Sequence, residues 1–229
     1  MKYLLILLIC FTANAQTSGL VNYKSKIFSQ VIDTTEIKDD KIKKSMLQTV
    51  QKMKKQMPYA SYVLKFNSNE SIFKIAKKMT VDEIIDYNLI AGFSDADGEF
   101  FNSKNKKIRL RKLKAWNNEY IIRSNFPEWK ISNQKKDVLG YQCLKATTEK
   151  ELDNGDIIEV VAWFAKDIPF NFGPKEYAGL PGLILEIEER GIKFYATEID
   201  LNNKKHNIKL PDVKKSITKK EFLSQSPYK

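Results

Sequence analysis

Glu186 and Glu188 stand two residues apart in Leu183-Ile184-Leu185-Glu186-Ile187-Glu188-Glu189. The stretch reads as a strand, so both carboxylates share one face. Paired carboxylates hydrolyse glycosides, one as acid and the other as base or nucleophile. The same alternation is also explained without chemistry, with Leu183, Leu185 and Ile187 facing inward and the two glutamates forming the wet side. That account needs no further assumption and is preferred. The one histidine, His206, lies in a basic tail with no carboxylate or cysteine at ligand spacing. A zinc site or a Ser-His-Asp triad would have to be built around it, so it reads as a solvent residue. No Gly-rich phosphate loop or nucleophile elbow occurs. Ser94-Asp95-Ala96-Asp97-Gly98-Glu99 echoes a calcium loop. With Gly98 in the sixth position, however, the first is Phe93 and the twelfth, where a Glu is needed, is Lys104. It reads as a surface turn. No catalytic residue, metal ligand or cofactor is expected.

The elements around these residues are mostly strands. Residues 20–32 read as a first strand. Asp33-Thr34-Thr35-Glu36 then has the form of a capping box. Ile42, Met46, Val50, Met53 and Met57 recur at helical spacing, lysines crowd the remaining surface, and Pro58 ends the run. The plain reading is an amphipathic helix lying on a sheet. The sharper one is a Met-rich lid, with Met46, Val50, Met53 and Met57 covering a ligand. Hairpins are marked by Asn67-Ser68-Asn69, Asn117-Asn118, Asp153-Asn154-Gly155 and Arg190-Gly191 between strand-like runs. Thr80-Val81-Asp82-Glu83 looks like another capping box, with a short helix or irregular excursion after it to Gly92. Thr218-Lys219-Lys220-Glu221 before Phe222 and Leu223 marks a terminal helix in the basic tail from about 202.

Lys2, an apolar run from Tyr3 to Phe11 and Ala13-Asn14-Ala15 make a secretory signal over 1–15, leaving one domain over 16–229. The run falls short of the roughly 20 residues that a spanning helix needs. Ile9 before Cys10 spoils a lipobox. Export would remove Cys10 and leave Cys143 as the single cysteine, read as buried and inert. The formal charge of +11 would become +10. Such a surface attracts anionic partners, and export argues against nucleic acid. No later segment is long and apolar enough to be integral to a membrane.

The distinctive segment follows Trp163-Phe164-Ala165. Pro169, Gly173, Pro174, Gly179, Leu180, Pro181, Gly182, Leu183 and Ile184 form a glycine- and proline-punctuated crossing between two strands. Fixed proline φ angles and permissive glycines give a rigid connection, so these residues read as structural. Gly179-Leu180-Pro181-Gly182-Leu183-Ile184 resembles the signature of the GLPGLI family, exported proteins of unknown function. Gly140-Tyr141-Gln142-Cys143-Leu144-Lys145-Ala146, Ile168-Pro169 and Gly173-Pro174 extend the likeness. The resemblance implies a mainly β (α+β) fold: a curved antiparallel meander, or open half-barrel, plugged by a helix as in periplasmic lipoprotein carriers. Three functions follow, the first two preferred to the third. The first is a carrier for an apolar, lipid-like ligand. The second is a cell-envelope module docking on an outer-membrane partner, and the third is a hydrolase using Glu186 and Glu188.

Overall fold

A computed structural model describes residues 18–35, 37–76, 85–202 and 206–227. The signal read at 1–15 lies outside these residues, as do Glu36 of the first capping box and all of Thr80-Val81-Asp82-Glu83.

The described chain is mainly β, in one sheet of twelve strands. β1 (Ser18–Ile27), β2 (Ser61–Asn67), β3 (Glu70–Ala76), β4 (Glu99–Ser103), β5 (Ile108–Ala115) and β6 (Asn118–Ser124) follow one another through one half. β7 (Lys130–Val138), β8 (Tyr141–Glu151), β9 (Ile157–Ala165), β10 (Leu183–Glu189) and β11 (Ile192–Asn202) form the other. The two meanders join where β1 pairs with β11, from Ser18 opposite Asn202 to Ile27 opposite Ile192. All pairs are antiparallel except the short β12 (Ile217–Thr218), which runs parallel to β6.

Topology alone requires the sheet to curl. β6 and β7 lie ten positions apart in strand order. At about 4.8 Å per strand they would stand ~48 Å apart in a flat sheet. Residues 125–129 connect them, and that chain reaches only about 20 Å fully stretched. The two flanks must therefore approach each other.

The main core fills the curled sheet. β1 contributes Val21 and Tyr23, β2 contributes Tyr62, Leu64 and Phe66, β3 Phe73, and β11 Phe194 and Ala196, all buried at alternate positions. Tyr62 meets Phe194 edge-on at 5.0 Å and stacks on Phe73 at 5.7 Å. A second cluster joins Ala146, Val160, Ala162 and Phe164 of β8 and β9 to Ile184 and Ile187 of β10. Strict alternation along β10 does not hold. A bulge between Ile184 and Glu186 shifts the register, so Leu183 and Leu185 pack in the main core while Ile187 packs in the second. The Tyr23 hydroxyl donates to the Ile184 carbonyl at 2.6 Å beside this bulge.

Several boundaries differ from the sequence expectation. α1 (Asp40–Gln56) is capped by Asp39, which accepts from Lys41 N at 2.8 Å and Ile42 N at 3.2 Å. Asp33 instead accepts from Thr35 N at 2.9 Å, a local turn that competes with capping. α2 (Tyr87–Phe93) is capped by Asp86. The β5–β6 turn falls on Trp116-Asn117, both with positive φ (49° and 63°), one residue earlier than the Asn-Asn pair implied. β4 and β7 carried no strand signal. β4 is short and buried over four consecutive residues, and β7 is a polar edge strand with a bulge. α3 (Lys219–Ser224) has the expected Thr218–Glu221 capping box.

Candidate functional site: a cleft over a buried ion network

The Gly/Pro segment between β9 and β10 lies inside the curled sheet. Ile168, Phe170, Phe172 and Ala178 pack in the main core, and Tyr177 and Leu180 in the second. Phe170 approaches Phe66 to 4.6 Å between ring centres. Leu183 N donates to Ile168 O at 3.0 Å, Ile184 N to Phe172 O at 2.9 Å, and Gly179 N to Asn171 O at 2.9 Å. Gly179 has φ +99°, and a Cβ at Gly182 would sit 2.2 Å from the Ala165 carbonyl oxygen. Pro174, Leu180, Leu183 and Ile184 are buried, while Pro169 and Pro181 are exposed at the bends. This segment plugs the sheet, together with the last turn of α1.

Its tip carries Lys175-Glu176-Tyr177, and here the chain gathers its charges. Lys175 is fully buried in a left-handed conformation (φ 57°). Its ammonium pairs with Glu189 at the end of β10, donates to Ser94 O at 3.2 Å and lies 3.6 Å from Asp95. The Tyr177 hydroxyl donates to the other Glu189 oxygen. Lys150 of β8 reaches Asp95 at 2.9 Å, Glu176 at 3.0 Å and Glu189 at 3.2 Å. Arg111 of β5 pairs with Asp95 at 2.7 Å and with Asp97, and Arg109 donates to the Glu176 carbonyl at 2.7 Å. Three cations thus pair with four carboxylates, and Arg109 joins them through a backbone carbonyl. The turn read at Ser94–Glu99 is present but only half at the surface: Ser94 and Ala96 are buried, and Asp95 sits at the centre of the network. The opposed cations of β5 and β8 draw it inward.

Burial alone would raise the Glu176 carboxyl, but Lys150 and then Lys175 outweigh it and hold it at about 2. Asp95 is held well below the usual carboxylate range, because Lys175, Arg111 and Lys150 overcome the same burial effect. Burial would lower the Lys150 ammonium, yet Glu176 and Glu189 leave it raised. Burial, then Glu189, pushes the Tyr177 phenol well up. Asp95 and Glu176 are therefore ionised around neutrality, while Lys150 and Tyr177 keep their protons.

Above it opens a cleft of about 1220 Å³. Leu110 and Ile122 of β5 and β6, with Phe222 of α3, line one wall, and Thr148 and Ile158 of β8 and β9 the other. Lys219 bridges the flanks, pairing with Asp153 at 2.7 Å and donating to Glu151 O at 3.1 Å. Arg109 Nε and Glu176 Oε2 at the floor are buried without a hydrogen-bond partner.

The sequence-read residues are placed elsewhere. Met53 and Met57 are fully buried in the main core, Val50 is half-buried and Met46 is 38% exposed, and none of the four lines the cleft. Glu186 pairs with Lys136 and lies 3.4 Å from Lys193, and Glu188 lies 2.6 Å from Lys193. Cys143 is buried, and burial, with Glu186 nearby, pushes its thiol up to about 12. His206 is half-buried rather than free in solvent, its carbonyl accepting from Asn67 Nδ2 at 3.1 Å. Sequence reasoning missed the network itself. The available signal was Lys175-Glu176-Tyr177, a charged insertion in an otherwise apolar Gly/Pro segment.

Similarity to a known family falls on this same region. Residues 152–186 match a family described as a protein of unknown function (Porph_ging). The match takes in β9, the plug and the first half of β10. No curated protein matches the chain. Among solved structures the chain is similar to PNGF-II in a C2 crystal, at 13% identity and a TM-score of 0.51, covering 91% of this chain and 32% of that one. For PNGF-II in a P21 crystal the values are 14%, 0.48, 86% and 29%. The chain spans about a third of the length of PNGF-II. At this identity the likeness concerns the fold alone.

Proposed function

We propose that the protein is an exported, non-enzymatic binding protein whose ligand site is the cleft over the ion network. The observation that carries this reading is the cleft itself: a space of about 1220 Å³ between the two flanks, mixed apolar and polar in lining, over the ion network. Pre-formed concave sites with a few fixed polar groups suit small-molecule binding. The ligand class that fits is amphipathic and lipid-like, with its apolar part along Leu110, Ile122 and Ile158 and its polar end toward the floor. Proton-transfer catalysis needs a group that titrates near the working pH. Glu176 and Asp95 lie far below it, and Lys150 and Tyr177 far above, which supports binding over hydrolysis. Export rests on Lys2, the apolar run to Phe11 and Ala13-Asn14-Ala15. The open half-barrel and the GLPGLI resemblance belong to the same reading, with the Gly/Pro segment taking the larger part of the plug.

Titration with a fluorescent fatty acid tests it. Wild type should bind the probe saturably. Ile157→Glu combined with Leu223→Glu, both at the cleft wall and neither in the core clusters, should abolish binding without loss of fold. Equal binding by both proteins would remove the cleft from the account. The second reading, an envelope docking module, is favoured by the exposed part of α1.

A further inference from the structure

α1 is held to the body at its C-terminal end. Its apolar stripe runs Ile42, Met46, Val50, Met53, Met57 along one face. Met53 and Met57 are sealed in the core and Val50 is half-buried, but Met46 is 38% and Ile42 52% exposed. The stripe thus runs on past the body into solvent. The same helix carries Lys41, Lys43, Lys44, Lys52, Lys54 and Lys55, with Lys38 just before the cap, against only Asp39 and Asp40. At about 100° per residue, Lys41 and Lys52 lie on one side of the stripe and Lys43 and Lys54 on the other. Lys52 reaches Asp86 at 3.8 Å, and among the described residues no acid pairs with the others.

We infer that α1 docks the protein on an anionic phospholipid surface. Flexible apolar side chains in a basic rim match the boundary between headgroups and acyl chains. Lysine stems let the ammonium groups reach the phosphates while the stripe sinks. A juxtaposed basic cluster gains affinity with each lysine near an anionic leaflet. A second copy of this chain is the wrong occupant, because it would bring the same lysines against one another. No described helix is long and apolar enough to cross a membrane, so α1 lies along the surface. This surface is separate from the cleft, and the inference stands whether or not the cleft binds a ligand.

The test is co-sedimentation of the chain from Gln16 onward with vesicles. One set contains equimolar phosphatidylglycerol and phosphatidylcholine, and the other phosphatidylcholine alone. Binding to the first set and not the second is expected, weakened by high salt. Ile42→Glu with Met46→Glu, and separately Lys43→Glu with Lys54→Glu, should each lower the partition roughly tenfold or more. These side chains lie outside the core, so circular dichroism and thermal unfolding should not change. Equal binding to both vesicle sets, or variants that bind like wild type, would overturn the inference. So would a protein that ignores vesicles but self-associates, or captures an acidic protein, through α1.

Discussion

Lys150 Nζ lies 2.9 Å from an Asp95 carboxylate oxygen, although β8 and the turn after α2 belong to opposite halves of the sheet. The contact is one strut of a network that also holds the tip of the Gly/Pro plug. Charges taken out of water are costly unless every partner is present. Here Lys150, Lys175 and Arg111 pair with Asp95, Asp97, Glu176 and Glu189, and these pairs tie the plug, β5, β8 and β10 to each other.

Removing one member should unbalance the rest. Lys175→Met leaves Glu189 buried with less compensation and should cost about 3–5 kcal/mol. Lys175→Met together with Glu189→Leu should cost less than the single change, because no charge is stranded. Urea unfolding of both variants measures the difference. A single variant as stable as wild type would mean that the pair is not held as described.

Acid should loosen the same network. Glu176 is held at about 2 against an ordinary 4.5, and Asp95 also lies below its usual value. The unfolded chain therefore takes up protons first as the pH falls. The stabilisation is complete above about pH 4.5, declines below it and is gone once the pH passes below about 2. Glu176 alone accounts for up to about 3 kcal/mol. Urea midpoints should fall steadily from about pH 4.5 downward, and a constant midpoint to about pH 3 would contradict the assignment.

Gly182→Val should impair folding before any binding is affected. The first added carbon meets the Ala165 carbonyl at 2.2 Å, and backbone has no rotamer by which to yield. Soluble yield and the thermal midpoint should both drop, with a loss of several kcal/mol, on the order of the larger single-residue effects. A stably folded Gly182→Val protein that fails only in ligand binding would show that the segment is a ligand site rather than a plug.

The fold was legible wherever signals were local. Tyr141–Glu151 and Leu183–Glu189 were readable to the residue, because Asp153-Asn154-Gly155 follows the first, Arg190-Gly191 follows the second, and apolar residues recur along them. Thr218 and Glu221 announced α3 through the reciprocal bonds of a capping box. β7 was silent because Lys130-Ile131-Ser132-Asn133-Gln134-Lys135-Lys136 lies at an edge and needs no apolar face. The network was invisible for another reason. Asp95, Arg111, Lys150, Lys175 and Glu189 come from five separate segments, and only the curl of the sheet brings them within ion-pair distance. The helix periodicity of α1 was correct, yet it could not show that Met53 and Met57 serve the core while Ile42 and Met46 remain in solvent.

Cys143 offers a simple probe of packing. Its thiol is pushed up to about 12 and it is buried. In the native protein it should not react with a thiol reagent at neutral pH, and it should react fully in denaturant. Fast labelling of the folded chain would mean that the β8–β9 face opens readily.

The most direct measurement is native mass spectrometry of the protein isolated from the cells that make it, with the Ile157→Glu, Leu223→Glu double variant beside it. A stoichiometric amphipathic adduct is expected on wild type and none on the variant. A bare wild-type mass, or the same adduct on both proteins, would contradict the cleft as the binding site.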